Sequence, residues 1–173
     1  MNLLDAFLND NDINKDELMN ALYFDIRESV LKSILERMKA DDNFLKAAKN
    51  VYRTRTNTEA ATKIIQSMYK LEISAYDIEW YDNCFRAFMK KKAVRAIPSK
   101  ETRQALLLSQ HNLCAICNSP ITLSSMHVDH VIPWDYVGDE LENNYQGLCK
   151  NCNLHKSNHI ALAVSNVITN RRK

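Results

Sequence analysis

Two Cys-x-x-Cys pairs in the C-terminal part of the chain enclose a short segment that carries an adjacent acid and imidazole. Thiolates at this spacing bind zinc, because each pair places two sulfurs close enough to share one ion. An imidazole with an unperturbed pKa near ~6.5 can take up a proton at neutral pH, and a carboxylate can bind a hard cation. The residues concerned are Cys114, Cys117, Asp129, His130, Cys149 and Cys152.

The four cysteines of the two pairs predict a structural zinc site. Zinc in such sites takes four ligands in a tetrahedron, and here the ion would join the two ends of the segment between Cys117 and Cys149. A module of about 75 residues with a small apolar core needs such a cross-link. A thioredoxin-like redox pair is the alternative, and the presence of two pairs argues against it. A finger with two cysteines and two histidines, using His127 or His130, fits the spacing poorly.

The segment between the cysteine pairs predicts a β-strand. Its sequence His-Val-Asp-His-Val-Ile-Pro alternates polar and apolar residues and ends at Pro133. Successive side chains of a strand point to opposite faces. Asp129 and His130 therefore cannot both face the core.

The first 97 residues contain neither glycine nor proline, which predicts a helical bundle. Asn14 with Glu17, and Ser74 with Asp77, have the spacing of capping boxes, and Thr58 is predicted to cap a helix between them. The longest apolar row recurs in four-residue steps, which predicts one buried helix face. The row consists of Leu18, Leu22, Ile26, Val30, Ile34 and Met38.

A domain boundary is predicted at Ile97-Pro98-Ser99. Proline disfavours a helix at the residue before it, and Ser99 can cap a helix over 100–110. The predicted domains are residues 1–97, which are helical, and residues 98–173. The fold class is therefore mainly α with a small α+β module. The N-terminal helices have two open roles, dimerisation or recognition of DNA or a partner protein, since no helix-turn-helix pattern is evident.

The net charge of +2 hides an uneven distribution. Residues 1–42 hold ten acids and five bases, a net of −5, whereas residues 86–103 hold seven bases and one acid, a net of +6. Basic charge beside a candidate active site suits a polyanion such as nucleic acid, and a solvated lysine-rich helix face is the alternative. Residues 171–173 add three further bases. The residues expected to contact nucleic acid are Lys90, Lys91, Lys92 and Arg95.

The chain shows no sequence pattern for a membrane or for secretion. No stretch reaches the ~18 apolar residues of a membrane helix, and the N-terminus lacks the layout of a signal peptide. We therefore expect a cytoplasmic protein without a membrane partner.

The Asp129-His130 pair, followed by two asparagines and framed by the cysteine pairs, resembles the HNH endonucleases, the ββα-metal nucleases, over about residues 99–160. The resemblance implies that His130 is the general base and that Asn144 orients it, with Asn143 as the alternative. It implies that Asp129 and Asn153 hold Mg²⁺ or Mn²⁺. Many members have histidine at the position of Asn153, and the variant seen here is similar to the HNH domains of CRISPR effector nucleases.

The same resemblance implies a helix over residues 151–163 that completes a zinc-stapled ββα module. On that helix Asn153, Lys156, Ser157 and Ile160 would share one face, which would place Lys156 at a phosphate; an exposed lysine is the alternative. The implied activity is hydrolysis of DNA, with double-stranded DNA as the expected partner and RNA left open. Restriction, phage defence and mobile elements are all compatible settings. A non-catalytic, zinc-stabilised module that binds nucleic acid or protein is the rival interpretation.

Overall fold

The computed structural model describes residues 2–160 and 162–170. Within these ranges the chain forms helices and one two-stranded antiparallel sheet, which confirms a mainly α fold with a small α+β module. The basic residues at 171–173 lie outside the described ranges. The elements are α1 Leu3–Asp10, α2 Lys15–Ala40, α3 Asp42–Thr54, α4 Asn57–Gln66, α5 Ala75–Lys90, α6 Lys100–Ser109, β1 His127–His130, α7 Trp134–Val137, β2 Tyr145–Leu148, α8 Lys150–Lys156 and α9 Ala163–Asn170.

Three of the predicted helix starts carry the expected side-chain caps. Asn14 Oδ1 accepts a hydrogen bond from the Asp16 N–H at 2.7 Å, and Ser74 Oγ accepts one from the Asp77 N–H at 3.1 Å. Ser99 caps α6 in the same way. Each cap satisfies a backbone N–H that has no partner inside its own helix.

The predicted cap at Thr58 is wrong, because α4 begins two residues earlier. Thr56 is the N-cap, and its backbone N–H donates to Glu59 Oε2 at 3.2 Å. The pair Thr56 and Glu59 has the three-residue spacing of a capping box, whereas Thr58 is followed at that spacing by an alanine, which has no polar side chain. The carboxylate thus decides where the helix begins.

The predicted apolar row of α2 is buried only in its C-terminal part. Val30, Ile34 and Met38 are buried, but Leu22 is 41% exposed and Ile26 is 55% exposed. A helix turns about 100° per residue, so each four-residue step advances about 40° around the axis. Over the length of the row this rotation carries its first members off the buried face.

The predicted helix over 151–163 is also shorter than expected. Helix α8 ends at Lys156, and Ser157 follows with a φ of 44°, in the left-handed region that stops a helix. The Ser157 N–H still bonds the carbonyl of Asn153 at 3.0 Å. Ser157 and Ile160 therefore do not extend the helix face that carries Asn153, contrary to the prediction.

Backbone contacts divide the chain into two compact units. The first consists of Met1–Ser29, Ile97–Val131 and Tyr145–Lys173, and the second of Val30–Ala96 and Ile132–Asn144. The first unit thus contains β1, β2, α8 and both cysteine pairs. The predicted domains, residues 1–97 and 98–173, were defined by a predicted helix break at Pro98 and not by backbone contacts. That division stays a prediction.

The first unit is built around the hairpin of β1 and β2. The strands are antiparallel, and Asp129 is paired with Gln146 while His130 is paired with Tyr145. Helix α6 supports the hairpin through Gln110, whose side chain exchanges two hydrogen bonds with the backbone of Gly147, at 2.7 and 2.9 Å. The small apolar core around it consists of Leu107, Cys114, Ile121, Met126 and Leu148.

The N-terminal segment of the first unit supports its last helix. The Asp25 carboxylate accepts hydrogen bonds from the N–H groups of Ala163 and Val164, at 2.6 and 3.0 Å. These donors belong to the first turn of α9, which a negative charge stabilises. Asp25 therefore takes the part of a helix cap supplied from a distant place in the sequence.

The second unit is a helical cluster with an apolar interior. Tyr81 and Phe85 stack with ring centroids 6.0 Å apart. Tyr52 adds a polar cross-link, since its hydroxyl donates to Asp82 Oδ1 at 2.8 Å. The fully buried side chains of the second unit include Leu31, Ile34, Leu35, Met38, Ile65 and Phe85. Among the described residues, no helix combines the length and apolar composition that crossing a bilayer requires.

Candidate functional site

The four predicted zinc ligands come together in the first unit. The Sγ atoms of Cys114, Cys117, Cys149 and Cys152 all lie within 4.8 Å of one another. Cys117 Sγ and Cys149 Sγ are 3.8 Å apart. Four sulfurs at about 2.3 Å from one zinc ion form a tetrahedron with edges of about 3.8 Å. The donor set and its spacing therefore fit structural zinc.

Backbone donors around the cluster suit negatively charged sulfurs. The N–H of Cys149 points at Cys114 Sγ, and the N–H of Cys152 points at Cys149 Sγ, both at 3.4 Å. Cys149 is also the N-cap of α8, so its thiolate lies at the positive end of that helix. These contacts lower the cost of gathering several thiolates in one place.

One thiol of the cluster is poised to ionise. Cys117 Sγ lies 3.1 Å from the hydroxyl of Ser119. Burial raises the pKa of Cys117, but hydrogen bonds with Ser119 and with the sulfurs of Cys152 and Cys114 lower it, to about 6. This direction favours the thiolate, which is the form that binds zinc.

The predicted metal ligand and the predicted base lie on opposite faces of the hairpin. Asp129 shares its face with Gln146, its partner across the strands, and this face is next to α8. His130 shares the other face with Tyr145, and the two rings are 4.8 Å apart. The His130 side chain is buried, with only 2% of the residue exposed. The strand alternation expected from the sequence is thus confirmed.

Two nitrogen atoms converge on the same pair of oxygens beside β1. Lys156 Nζ lies 2.8 Å from Asp129 Oδ2 and 2.8 Å from the backbone oxygen of His130. Gln146 Nε2 lies 3.3 Å and 3.4 Å from the same two oxygens. A carboxylate and a carbonyl that one cation contacts together are hard oxygen donors, which Mg²⁺ and Mn²⁺ prefer. The donor set therefore fits such an ion.

This arrangement corrects the expected role of Lys156 at a phosphate. Its side chain is 7% exposed and forms an ion pair with Asp129, whose side chain is 18% exposed. A lysine held in this way is not on the solvated helix face that phosphate contact requires. The participation of Gln146 was not predicted, and its place opposite Asp129 follows only from the register of the two strands.

The two asparagines expected as candidates to orient His130 differ in burial and in contacts. Asn144 is buried, and its side chain binds the backbone of Ile132 through both of its polar atoms. Asn143, the alternative, is exposed and has a φ of 53°. Asn144 therefore binds the backbone two residues after His130, and its expected role in orienting the imidazole stays a prediction.

Asn153 lies on α8, three residues before Lys156 and therefore on the side of the helix that faces β1. It is half-buried. Its position on the same helix as the lysine that contacts Asp129 is compatible with the expected pairing of Asn153 and Asp129 at one ion.

The four basic residues expected to contact nucleic acid differ in their surroundings. Lys91 Nζ donates to the backbone oxygen of Asp135 at 2.8 Å and lies 4.3 Å from the ring centroid of Trp134. Its charge is thus engaged within the second unit, and a contact between Lys91 and nucleic acid stays a prediction. Lys92 is 79% exposed and lies 3.5 Å from a carboxylate oxygen of Glu140. Lys90 and Arg95 are exposed.

Arg103 was counted in the same basic segment and serves the fold of the first unit instead. Its Nη2 donates to the backbone oxygens of Leu123 and Met126, at 3.1 and 3.3 Å. A guanidinium suits this task because each terminal nitrogen carries two N–H donors, so that one nitrogen can bond two carbonyls. Arg103 thereby fixes the segment that leads into β1.

A comparison with protein families agrees with these contacts. The family model described as HNH endonuclease matches residues 114–159, which contain the four cysteines, both strands and α8. The search of curated proteins gave no match, and neither did the search of solved structures. Residues 114–159 therefore match the HNH endonuclease family model, and four cysteines placed for a zinc site lie within the matched segment.

Proposed function

We propose that this protein is a metal-dependent HNH endonuclease that hydrolyses phosphodiester bonds in DNA. The observation that carries the proposal is the match of an HNH domain to residues 114–159. Asp129, His130 and Asn153 fall inside it, on the hairpin and on α8. The cysteine cluster supports the proposal because it joins the regions before and after the hairpin.

His130 is the proposed general base. Its imidazole accepts a proton from the water molecule that attacks the phosphorus, and general-base catalysis of this kind contributes about 10²–10⁴-fold to the rate. Tyr145 packs against the ring and restricts its orientation. Asn144 is the proposed residue that orients His130, and its hydrogen bonds to the backbone of Ile132, two residues after His130, support this role.

Asp129 and Asn153 are the proposed ligands of a divalent cation, Mg²⁺ or Mn²⁺. When bound, such an ion would neutralise charge on the phosphate and stabilise the leaving oxygen. The carboxylate of Asp129 is held by Gln146 at 3.3 Å, which limits its rotamers. The zinc ion expected at the cysteines has a structural part only, because four thiolates leave no open position on it.

Double-stranded DNA is the proposed substrate, and the exposed bases Lys90, Lys92 and Arg95 are the proposed backbone contacts. Phosphate contacts of this kind give affinity without sequence selectivity. The N-terminal helices would supply a dimer contact or bind a partner protein. We place the protein in the cytoplasm, in restriction, phage defence or a mobile element.

One set of observations favours a second candidate function, a non-catalytic zinc-stabilised module that binds nucleic acid or protein. His130 is 2% exposed, and the Asp129 carboxylate is already paired with an ammonium group of the same chain. A base must reach the water that it deprotonates, and a metal ligand must be available to its ion. The two candidates are separated by whether the protein cleaves DNA.

The test is cleavage of supercoiled plasmid DNA by the zinc-loaded protein in the presence of Mg²⁺ or Mn²⁺. We expect His130→Ala to lose about 10²–10⁴-fold in rate while it keeps DNA affinity. His127→Ala is the matched control, because His127 is on the same strand and is exposed, and it should cleave at the parent rate. Equal rates for His130→Ala and the parent, or no cleavage by the parent with either ion, would favour the second candidate.

A further inference from the structure

Asp129 Oδ2 and the backbone oxygen of His130 form a two-oxygen site for a cation. One oxygen belongs to a side chain and the other to the backbone of the next residue. Lys156 Nζ contacts both of them, at 2.8 Å each. Gln146 Nε2 is directed at the same two oxygens. Four polar groups thus converge on one position, and the group that supplies the positive charge there comes from α8.

A gain in stability alone does not account for this ion pair. A buried ion pair stabilises a protein little, because the cost of removing both charges from water offsets their attraction. The pair here is also not needed to attach α8, since Cys149 and Cys152 already place that helix at the four-cysteine cluster. A positive charge is instead required by the Asp129 carboxylate, which is only 18% exposed and needs a counter-charge at all times.

We propose that Asp129 Oδ2 and the His130 carbonyl are a cation site which Lys156 fills with its own ammonium group, so that a divalent ion and this lysine compete for the same two oxygens. The inference rests on the proposed function, because it treats Asp129 as the ligand of the ion. It adds the His130 carbonyl as a further ligand. It also makes Lys156 a positioning residue that keeps the carboxylate in place until the ion arrives.

The surroundings of Lys156 provide room for its side chain to leave. Lys156 is the last residue of α8, and the left-handed Ser157 follows it, so the helix does not continue over the side chain. A cavity of about 170 Å³ adjoins the site. Its lining includes Lys156 and Gln146 together with the polar side chains of His159 and Asn166. A lysine stem with four carbons can turn into this space without unfolding the helix.

The test is the affinity of the full-length, zinc-loaded protein for Mn²⁺, measured by calorimetry at fixed pH. We expect Lys156→Met to bind Mn²⁺ about tenfold more tightly than the parent, because the competing charge is gone. The matched control is Lys150→Met, which removes the same charge from an exposed position on the same helix and should leave the affinity unchanged. Asp129→Asn should abolish the binding in either background.

A merely structural lysine gives a different result. In that case Lys156→Met would remain folded with Mn²⁺ affinity equal to or weaker than the parent, and this outcome would overturn the inference. If Lys156→Met does not fold, the unmodified protein provides the measurement through the ¹H–¹⁵N signal of the Lys156 ammonium group. The signal of the hydrogen-bonded ammonium should disappear as Mg²⁺ saturates the site, and its persistence at saturation would also overturn the inference.

The inference and the proposed function fail separately. Suppose that the parent cleaves DNA, that Asp129→Ala does not, and that Lys156→Met binds Mn²⁺ with unchanged affinity. This outcome would support the nuclease function and contradict the competition between Lys156 and the ion. If the parent cleaves no DNA but Lys156→Met binds Mn²⁺ more tightly, the cation site would be supported and the nuclease function contradicted.

Discussion

The side chain of Asn144 binds both polar groups of the Ile132 backbone. Its Oδ1 accepts from the Ile132 N–H at 2.8 Å, and its Nδ2 donates to the Ile132 carbonyl at 2.9 Å. The amide thus acts as a peptide group would in a strand pair, and it joins the two ends of the loop that contains α7. The adjacent Asn143 is exposed and takes no such part.

Asn144→Ala should lower the free energy of unfolding by about 2–6 kcal/mol. The substitution removes two buried hydrogen bonds and leaves two backbone groups without partners, each of which costs about 1–3 kcal/mol if water cannot reach it. Urea denaturation gives the measurement. Asn143→Gly is the control, because glycine accepts the φ of 53° at that position and little stability should change. An Asn144→Ala protein as stable as the parent would contradict a stabilising role for the two hydrogen bonds between Asn144 and Ile132.

Removal of zinc should unfold the first unit. The four thiolates form its most constrained cluster, and metal binding of this kind contributes directly to folding. We expect one zinc ion per chain by elemental analysis and a large loss of thermal stability after chelation or in Cys149→Ser. Cys84→Ala should retain the full zinc content, since Cys84 is not one of the four clustered cysteines. A protein that melts at the same temperature with and without zinc would contradict a structural role for the ion.

Lys90 and Lys91 should differ in their effect on DNA binding. Each phosphate contact contributes about −0.9 to the slope of log affinity against log salt concentration. Lys90→Gln should therefore make the slope shallower by about that amount, because Lys90 is exposed. Lys91→Gln should leave the slope unchanged and cost about 1 kcal/mol of stability, because the Lys91 ammonium is engaged with Trp134 and Asp135. Equal changes of slope in both variants would show that Lys91 leaves these contacts to bind DNA.

Asn153→His should shift the preferred catalytic ion. An imidazole nitrogen replaces an amide oxygen, and nitrogen donors favour softer ions over Mg²⁺. We expect cleavage with Mg²⁺ to fall relative to cleavage with Mn²⁺, Co²⁺ or Ni²⁺ in parallel plasmid assays. Asn151→His, an exposed position on the same helix, should leave the preference unchanged. A parent-like ion preference in Asn153→His would argue that Asn153 is not a ligand.

The predicted boundary at Pro98 should be the first site of limited proteolysis. The segment between α5 and α6 has no regular structure over most of its length, and Val94 and Ile97 are 81% and 93% exposed. Trypsin should therefore cleave first after Lys92 or Arg95, which mass spectrometry of the early fragments would establish. A first cut inside α2 or α5 would contradict the boundary.

The sequence by itself determined the features that depend on local chemistry. The spacing of Cys114, Cys117, Cys149 and Cys152 was sufficient to predict the cluster, because each turn between paired cysteines brings its own two sulfurs together. Helix starts at Asn14, Ser74 and Ser99 were predictable for the same reason, since a cap bonds a donor only two or three residues away. The resemblance to HNH endonucleases was drawn from residue types and spacing within about residues 99–160, and the family model matches residues 114–159.

Only the tertiary structure decided which distant groups meet. The pairing of Lys156 with Asp129, and the role of Gln146 beside them, depend on strand register and on where α8 ends at Ser157. Two adjacent asparagines are equivalent in a sequence, and burial alone made Asn144 the clamp on Ile132. A lysine likewise carries the same charge in any sequence. The role of that charge depends on which oxygens lie within about 3 Å of the nitrogen, and the packing of the folded chain determines those neighbours.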